Sequence, residues 1–157
     1  MNLSEITFSD IEEKDCRRLA QLDRECFSEP WSEELFLKDT QNPLAHYIVS
    51  EYNDEVVGYC GMYSVADEGQ ITNIAVANKY RRKGIASKML MLMIDKAKAA
   101  NLRVMSLEVR ESNLPAITLY ESLGFFKVGY RKNYYRNPSE GAVLMDLILR
   151  QSVNCRV

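Results

Sequence analysis

Apolar positions change their period along the chain, and the changes separate helical from extended stretches. Between residues 10 and 26, Cys16, Leu19 and Ala20, with Asp23 one turn further, keep helical spacing with charge between them. That spacing predicts a first amphipathic helix. A second helix is predicted to start at Ser32, whose hydroxyl can accept a first-turn N–H, with Glu33 and Glu34 at the positive end. Trp31 before the cap and Phe36 at the fourth helical position fit a hydrophobic staple. Ala45 to Tyr52 and Glu55 to Val65, rich in Tyr, Val and Ile, then read as strands joined by a tight turn at Asn53-Asp54. After the break at Asp67-Glu68-Gly69, Gln70 to Val76 is a third strand, so an antiparallel meander is expected.

The period then lengthens again. Ile85, Met89 and Leu92 form one stripe and Ala86, Leu90, Met93 and Ala97 its neighbour, which predicts a long amphipathic helix from Gly84 to Ala100. Arg103 to Val109 follows as an apolar strand that a helical crossover can set parallel to the one before. A shorter helix is predicted near Asn113, with Pro115 in its first turn and Gly124 at its stop. Phe125 to Tyr135 and Ala142 to Leu149 are the last strands, joined through Asn137-Pro138-Ser139-Glu140-Gly141. The expected class is α+β, a mixed sheet flanked by helices. Repeats, low-complexity tracts and Ser/Gly linkers are missing, so residues 1–149 are expected to form a single domain and 150–157 a frayed tail.

Composition narrows the function classes. The 157 residues carry 20 basic and 22 acidic side chains, a formal net charge of -2. Wholesale nucleic-acid binding, which goes with a strongly basic domain, is not expected; a cationic polypeptide partner remains open. The start, Met1-Asn2-Leu3-Ser4-Glu5, has no apolar signal region, and no uncharged run approaches the ~20 residues of a membrane span. A cytoplasmic protein without membrane attachment is expected, and a monomer by default. Cys16, Cys26, Cys60 and Cys155 are scattered and His46 is the single histidine, so no metal site is expected and the thiols read as reduced.

Two stretches carry candidate chemistry. Asn73-Ile74-Ala75-Val76 ends a strand, and Arg81-Arg82-Lys83-Gly84-Ile85-Ala86 leads into a helix. Such a helix start offers backbone N–H groups and partial positive charge to a pyrophosphate, and glycine lets the anion come close. The same pattern also describes a solvated basic loop. It is neither a Walker loop nor GxGxxG. In the second stretch Glu108 interrupts an apolar strand, on the face of Val104 and Ser106 and opposite Met105, Leu107 and Val109. A carboxylate there is either half-exposed surface or a site residue. Tyr120 shares a helical face with Ala116 and Leu123 and reads as a core aromatic or an acid.

Together, a strand, Arg81-x-x-Gly84-x-Ala86, a helix, a strand, Asn113 and Leu119-Tyr120-x-x-x-Gly124-Phe125 resemble the GNAT superfamily of N-acetyltransferases. Within it, Leu107-Glu108-Val109-Arg110, Ser112-Asn113, Ala116-Ile117, the segment from Leu119 to Phe125, Arg131-Lys132-Asn133-Tyr134-Tyr135 and Pro30-Trp31-Ser32 resemble the bacterial ribosomal-protein-alanine N-acetyltransferases. The likeness runs to about Leu149. It implies a mostly antiparallel central sheet with helices on both faces, acetyl-CoA as cosubstrate, and a protein N-terminus as acceptor, the N-terminal alanine of a small-subunit ribosomal protein. The backbone of Ile74, Ala75 and Val76 would bind the acetyl carbonyl and pantetheine arm. The loop of Arg82, Lys83, Gly84, Ile85, Ala86 and Ser87 would hold the pyrophosphate, and Asn113 would touch the coenzyme arm. Glu108 would be the general base and Tyr120 the general acid of a direct attack. Ala86 stands where many members have glycine, which implies a slight change of loop geometry.

Alternatives at this point are a broader Nα- or small-amine acetyltransferase and a non-catalytic coenzyme A-binding module. Cys60 as an acetyl carrier and His46 as base are weaker options for the mechanism. Tyr130, Tyr134 and Tyr135 suit either a groove for an extended peptide or cross-strand packing.

Overall fold

The computed structural model describes residues 1–150; all but the first residue of the expected tail lies outside the described residues, as does Cys155. In chain order the elements are β1 (Thr7–Ser9), α1 (Cys16–Cys26), α2 (Glu33–Asp39), β2 (Ala45–Tyr52), β3 (Glu55–Val65), β4 (Glu68–Val76), α3 (Ile85–Ala99), β5 (Val104–Arg110), α4 (Leu114–Ser122), β6 (Phe126–Tyr135) and β7 (Glu140–Ile148). The class is α+β, with a mostly antiparallel seven-stranded sheet in the order β1-β2-β3-β4-β5-β7-β6. Two compact units can be distinguished, one from Met1–Tyr63 with Ile71–Met93, the other from Ser64–Gln70 and the chain from Ile94 onward.

In the first unit α1 starts later than its periodicity predicts. Glu12 and Asp15 close a capping box around a single 3-10 turn, with the Glu12 N–H donating to Asp15 Oδ2 at 2.8 Å. Those local bonds compete with a longer α-helix. The second helix starts as expected: Ser32 Oγ accepts the Leu35 N–H at 3.3 Å, and the Trp31 and Phe36 rings lie 5.8 Å apart. Asn53 and Asp54 both take positive φ, 50° and 60°, which matches the twist a two-residue hairpin needs. The short strand β1, which periodicity did not reveal, pairs antiparallel with β2 from Thr7↔Glu51 to Ser9↔Val49. Three residues are too few to show a period.

This unit's core sets two carboxylates among aromatic rings. Fully buried Asp23 accepts the Tyr59 hydroxyl on one oxygen and the Trp31 N–H at 3.0 Å on the other, and Asp39 accepts the Tyr47 and Tyr63 hydroxyls. Phe36 packs edge-on against Tyr47 and Tyr59. Burial raises the Asp23 carboxyl above its ordinary range, opposed by the hydrogen bonds from Tyr59 and Trp31. A raised native pKa means that Asp23 favours the folded state most below the unfolded carboxylate pKa, and loses that contribution as pH rises through the folded value. Asp23→Ala would take this acceptor from the buried Tyr59 hydroxyl and the part-buried Trp31 N–H, about 1–3 kcal/mol for a fully buried donor and less for the other. Urea unfolding at neutral pH is therefore expected to lose roughly 2–5 kcal/mol in Asp23→Ala, and clearly less in Asp23→Asn, which keeps one acceptor without the charge. Equal losses in both would mean that the anion itself is required.

In the second unit the start of β4 runs parallel to β5, from Glu68↔Val104 to Gln70↔Ser106, as a helical crossover permits. Arg103 ties that start down through Asp67 at 3.3 Å and Glu68 at 3.1 Å. β5 pairs antiparallel with β7 from Val104↔Ile148 to Arg110↔Ala142, and β7 with the outer strand β6. The Asn113 side chain caps α4 by accepting the Ala116 N–H at 3.2 Å, and Gly124 follows the helix with φ 99°.

Candidate active site

Within the first unit, β4 ends at Ile74, which is half-buried, and at Ala75 and Val76, which are buried. A Cβ on Gly58 of β3 would stand 2.8 Å from the Ala75 carbonyl, so glycine is what lets the two backbones approach. Beyond Val76 the ladder continues for one bond, Ala77 N–H to Val57 C=O at 2.8 Å, before the chain turns away. Arg81, though exposed, donates from Nε to the Val76 carbonyl at 3.0 Å and so is tied back to the strand end.

Arg82 and Gly84 follow with φ of 61° and 84°. Two residues in three are thus left-handed, and of them only Gly84 takes that conformation without a side-chain penalty. The first α3 bond runs from the Lys88 N–H to the Gly84 carbonyl at 3.0 Å. The N–H groups of Ile85, Ala86 and Ser87 therefore precede the helical ladder, as first-turn donors do. Ile85 is buried and anchors the turn, Ala86 and Ser87 are half-buried, and Arg82, Lys83 and Gly84 are exposed. The space over Gly84 is open, its nearest neighbour a Leu3 methyl at 3.9 Å from a notional Cβ. Exposed cations, orphan N–H groups and an open glycine make a cradle whose chemistry fits a pyrophosphate.

Within the second unit, β5 alternates as its sequence predicts: Met105, Leu107 and Val109 are buried, and Ser106, Glu108 and Arg110 are half-buried. The Glu108 side chain keeps 24 % of its surface exposed. Its Oε2 accepts the Tyr134 hydroxyl at 2.9 Å, and Arg131 stands 4.0 Å from Oε1. Asn113 is exposed, and its Oδ1 is already engaged in capping α4. What it can still offer a ligand is the amide NH₂. Tyr120 is half-buried on α4, with its ring 5.9 Å from that of Phe125. Packing and a solvent-facing edge thus coexist in the same tyrosine.

Periodicity did not reveal the partners of Glu108. β6 breaks register twice, between Lys127 and Gly129 and between Arg131 and Tyr135, and Asn133 has φ 55°. Simple alternation fails across such a bulge; asparagine, which tolerates positive φ, was the available signal. The turn after β6, expected from Asn137-Pro138-Ser139-Glu140-Gly141, is gripped by Arg110. Its guanidinium donates to the carbonyls of Arg136 and Pro138, each at 2.9 Å, reaches Glu140 at 3.4 Å and lies 4.5 Å from the Tyr135 ring centre. Glu140 in turn accepts the Ser112 N–H at 2.6 Å.

The remaining candidates fare differently. Cys60 is fully buried, and burial alone pushes its thiol up to about 12. A thiolate there is scarce at neutral pH, which argues against an acetyl carrier. His46 lies half-buried on β2, opposite Met62.

The acetyltransferase (GNAT) family model matches residues 16–125, and the chain belongs to that family. It is an acetyl-CoA-dependent N-acetyltransferase. The chain is 36% identical over 140 residues to the ribosomal protein bS18-alanine N-acetyltransferase of Haemophilus influenzae, covering 87% of this chain and 94% of that one. With the Escherichia coli protein of the same name it shares 32% over 143 residues, 90% of this chain and 96% of that one. The crystal structure of the Escherichia coli enzyme superposes with a TM-score of 0.87 at 30% identity, over 97% of this chain and 99% of that one. Arabidopsis thaliana NAA60 in complex with acetyl-CoA shares the fold at a TM-score of 0.84 and 20% identity, over 91% and 98% of the two chains.

Proposed function

We propose that this enzyme acetylates the α-amine of a protein N-terminus, and that its acceptor is the N-terminal alanine of a small-subunit ribosomal protein. The names of the Haemophilus influenzae and Escherichia coli relatives support the acceptor. A ribosomal acceptor places the reaction in the cytoplasm. The observation that carries the chemistry is Glu108, a carboxylate kept partly exposed between buried Leu107 and Val109.

The cosubstrate supplies an acetyl group activated as a thioester; the chain's residues bind, orient and move protons. The N–H groups of Arg82 to Ser87 hold the pyrophosphate, with Lys83 and Arg82 adding positive potential. The Ile74, Ala75 and Val76 backbone receives the acetyl carbonyl and pantetheine arm, and Asn113 contacts that arm through its amide NH₂. An N-terminal ammonium has a reference pKa of about 7.7–8.0 and is mostly protonated at neutral pH. Glu108 takes its proton, directly or through water, and frees the amine for attack. Tyr120 gives a proton to the departing sulfur and regains one from the newly acylated nitrogen, while Glu108 passes the first proton to solvent, so that amide, thiol and one released proton result. None of these steps needs a covalent enzyme intermediate.

Mass spectrometry of peptide acetylation tests the acceptor. An Ala-initiated basic peptide is expected to gain one acetyl at its N-terminus, and the same peptide with a blocked N-terminus and free lysines none. Modification of lysine alone would overturn the N-terminal acceptor while leaving the acetyltransferase family untouched. Transfer to neither peptide, with transfer to a polyamine, would point to a small-amine enzyme.

A further inference from the structure

We propose that Tyr134 is a positioning residue for Glu108: its hydroxyl, delivered by the β6 bulge, fixes one carboxylate oxygen so that the other faces the incoming amine. The inference rests on Glu108 being the base and deepens that reading.

The β6–β7 ladder is interrupted between Arg131 and Tyr135, and the left-handed Asn133 lies inside the gap. Residues freed from a ladder can aim a side chain that strict alternation would not. Here Tyr134 carries its hydroxyl to 2.9 Å from Glu108 Oε2. Burial and the hydrogen bond to Glu108 both raise the Tyr134 phenol, so it remains a donor at neutral pH.

The ring that carries this hydroxyl is itself held. Its neighbour Tyr135 meets it edge-on at 5.0 Å, and Tyr135 lies against Arg110, whose guanidinium is fixed by Arg136, Pro138 and Glu140. On the other side Arg131 stands 5.6 Å from the Tyr134 ring centre. A glutamate side chain on a strand has three rotatable bonds, and one anchored oxygen removes most of that freedom. This is pre-organisation of a proton acceptor, which lowers the entropy the reaction would otherwise lose.

The two oxygens of Glu108 are then unequal. Oε2 is engaged by a neutral hydroxyl on a braced ring. Among the described residues, the ion pair at Oε1 is with Arg131, at 4.0 Å and with 58 % of that side chain exposed. A long, exposed ion pair of this kind contributes little and exchanges readily. A substrate ammonium can take the place of the guanidinium at Oε1 without disturbing Oε2. Sequence alternation alone assigns Tyr134 to peptide contact or to packing; the hydrogen bond gives it a third role.

A double-mutant cycle on the full chain separates these roles, read as steady-state acetylation of the Ala-initiated peptide. Tyr134→Phe keeps the ring and its contacts and removes only the donor. It is expected to lower kcat about tenfold with the KM for acetyl-CoA unchanged. Adding it to Glu108→Gln is expected to change kcat by less than about twofold, because a base that no longer takes protons gains nothing from being positioned. Coenzyme binding and melting temperature should match those of the parent in each background, which excludes misfolding as the cause.

If the Tyr134→Phe loss appears in full on top of Glu108→Gln, or appears only as a raised peptide KM, Tyr134 acts apart from Glu108 and the inference fails. A parent-like kcat in Tyr134→Phe alone, with Glu108→Gln impaired, also overturns it while sparing the base. A parent-like kcat in Glu108→Gln removes the base itself, and the origin of the failure is then plain.

Discussion

Glu108→Gln is expected to reduce turnover by about a hundredfold or more while acetyl-CoA still binds. Glutamine preserves the shape of the side chain and can still accept the Tyr134 hydroxyl. What it cannot do is take a proton. At neutral pH the acceptor amine is mostly an ammonium with no lone pair, so the loss falls on the chemical step. Direct calorimetric titration with coenzyme A and a thiol-release assay on the same preparation separate the two quantities. Intact binding with a kcat lowered by a hundredfold agrees with a base at Glu108. Near-parental turnover would remove Glu108 from that role, and with it the reading of β5 as the strand that supplies the proton acceptor.

The second large effect is expected at Gly84. With φ at 84°, a β-branched residue there is forced into the left-handed region, at a cost of at least about 1–2 kcal/mol. Space does not set the outcome, since a notional Cβ meets nothing closer than 3.9 Å. Gly84→Val should therefore fold with a modestly lower melting temperature, yet present its loop N–H groups at altered angles and place a methyl where the anion approaches. Affinity for acetyl-CoA is expected to fall about tenfold or more, since ~1.4 kcal/mol corresponds to a factor of ten. Peptide KM at saturating coenzyme should stay near that of the parent. A lower melting temperature with unchanged coenzyme affinity would dismiss the loop as the pyrophosphate cradle and leave it a solvated basic turn.

The two variants probe opposite kinds of electrostatics. In the proposed mechanism, fixed N–H dipoles and the exposed Arg82 and Lys83 around Gly84 would meet an anion already charged in water. Around Glu108, a partly exposed carboxylate would meet a cation that must be discharged before it can react. Both arrangements are built from secondary-structure geometry, a helix start in one unit and a strand face in the other.

Local patterns made much of the architecture legible. The Ser32 cap, the Trp31–Phe36 staple, the Asn53-Asp54 turn and the burial of Met105, Leu107 and Val109 each depend on residues a few positions apart, and each is present. The left-handed turn of Arg82 and Gly84 was not legible in this way, since glycine permits either sign of φ and arginine does not announce a positive one. Strand alternation set Glu108 opposite Met105, Leu107 and Val109, while leaving open whether the carboxylate is half-exposed surface or part of a site. Only the tertiary structure decided what that carboxylate touches. The β6 bulge, the Tyr134 hydroxyl, the weak contact with Arg131 and the Arg110 grip on the following turn join residues 20 to 30 positions apart, and side-chain period carries no information at that separation. The same holds for Asp23 and Asp39: helical spacing placed Asp23 on its face, but nothing local announced that tyrosines from β2 and β3 would satisfy both carboxylates. Period and capping are local energies that a short stretch of chain already feels, whereas hydrogen-bond partners across strands exist only once the chain has closed on itself.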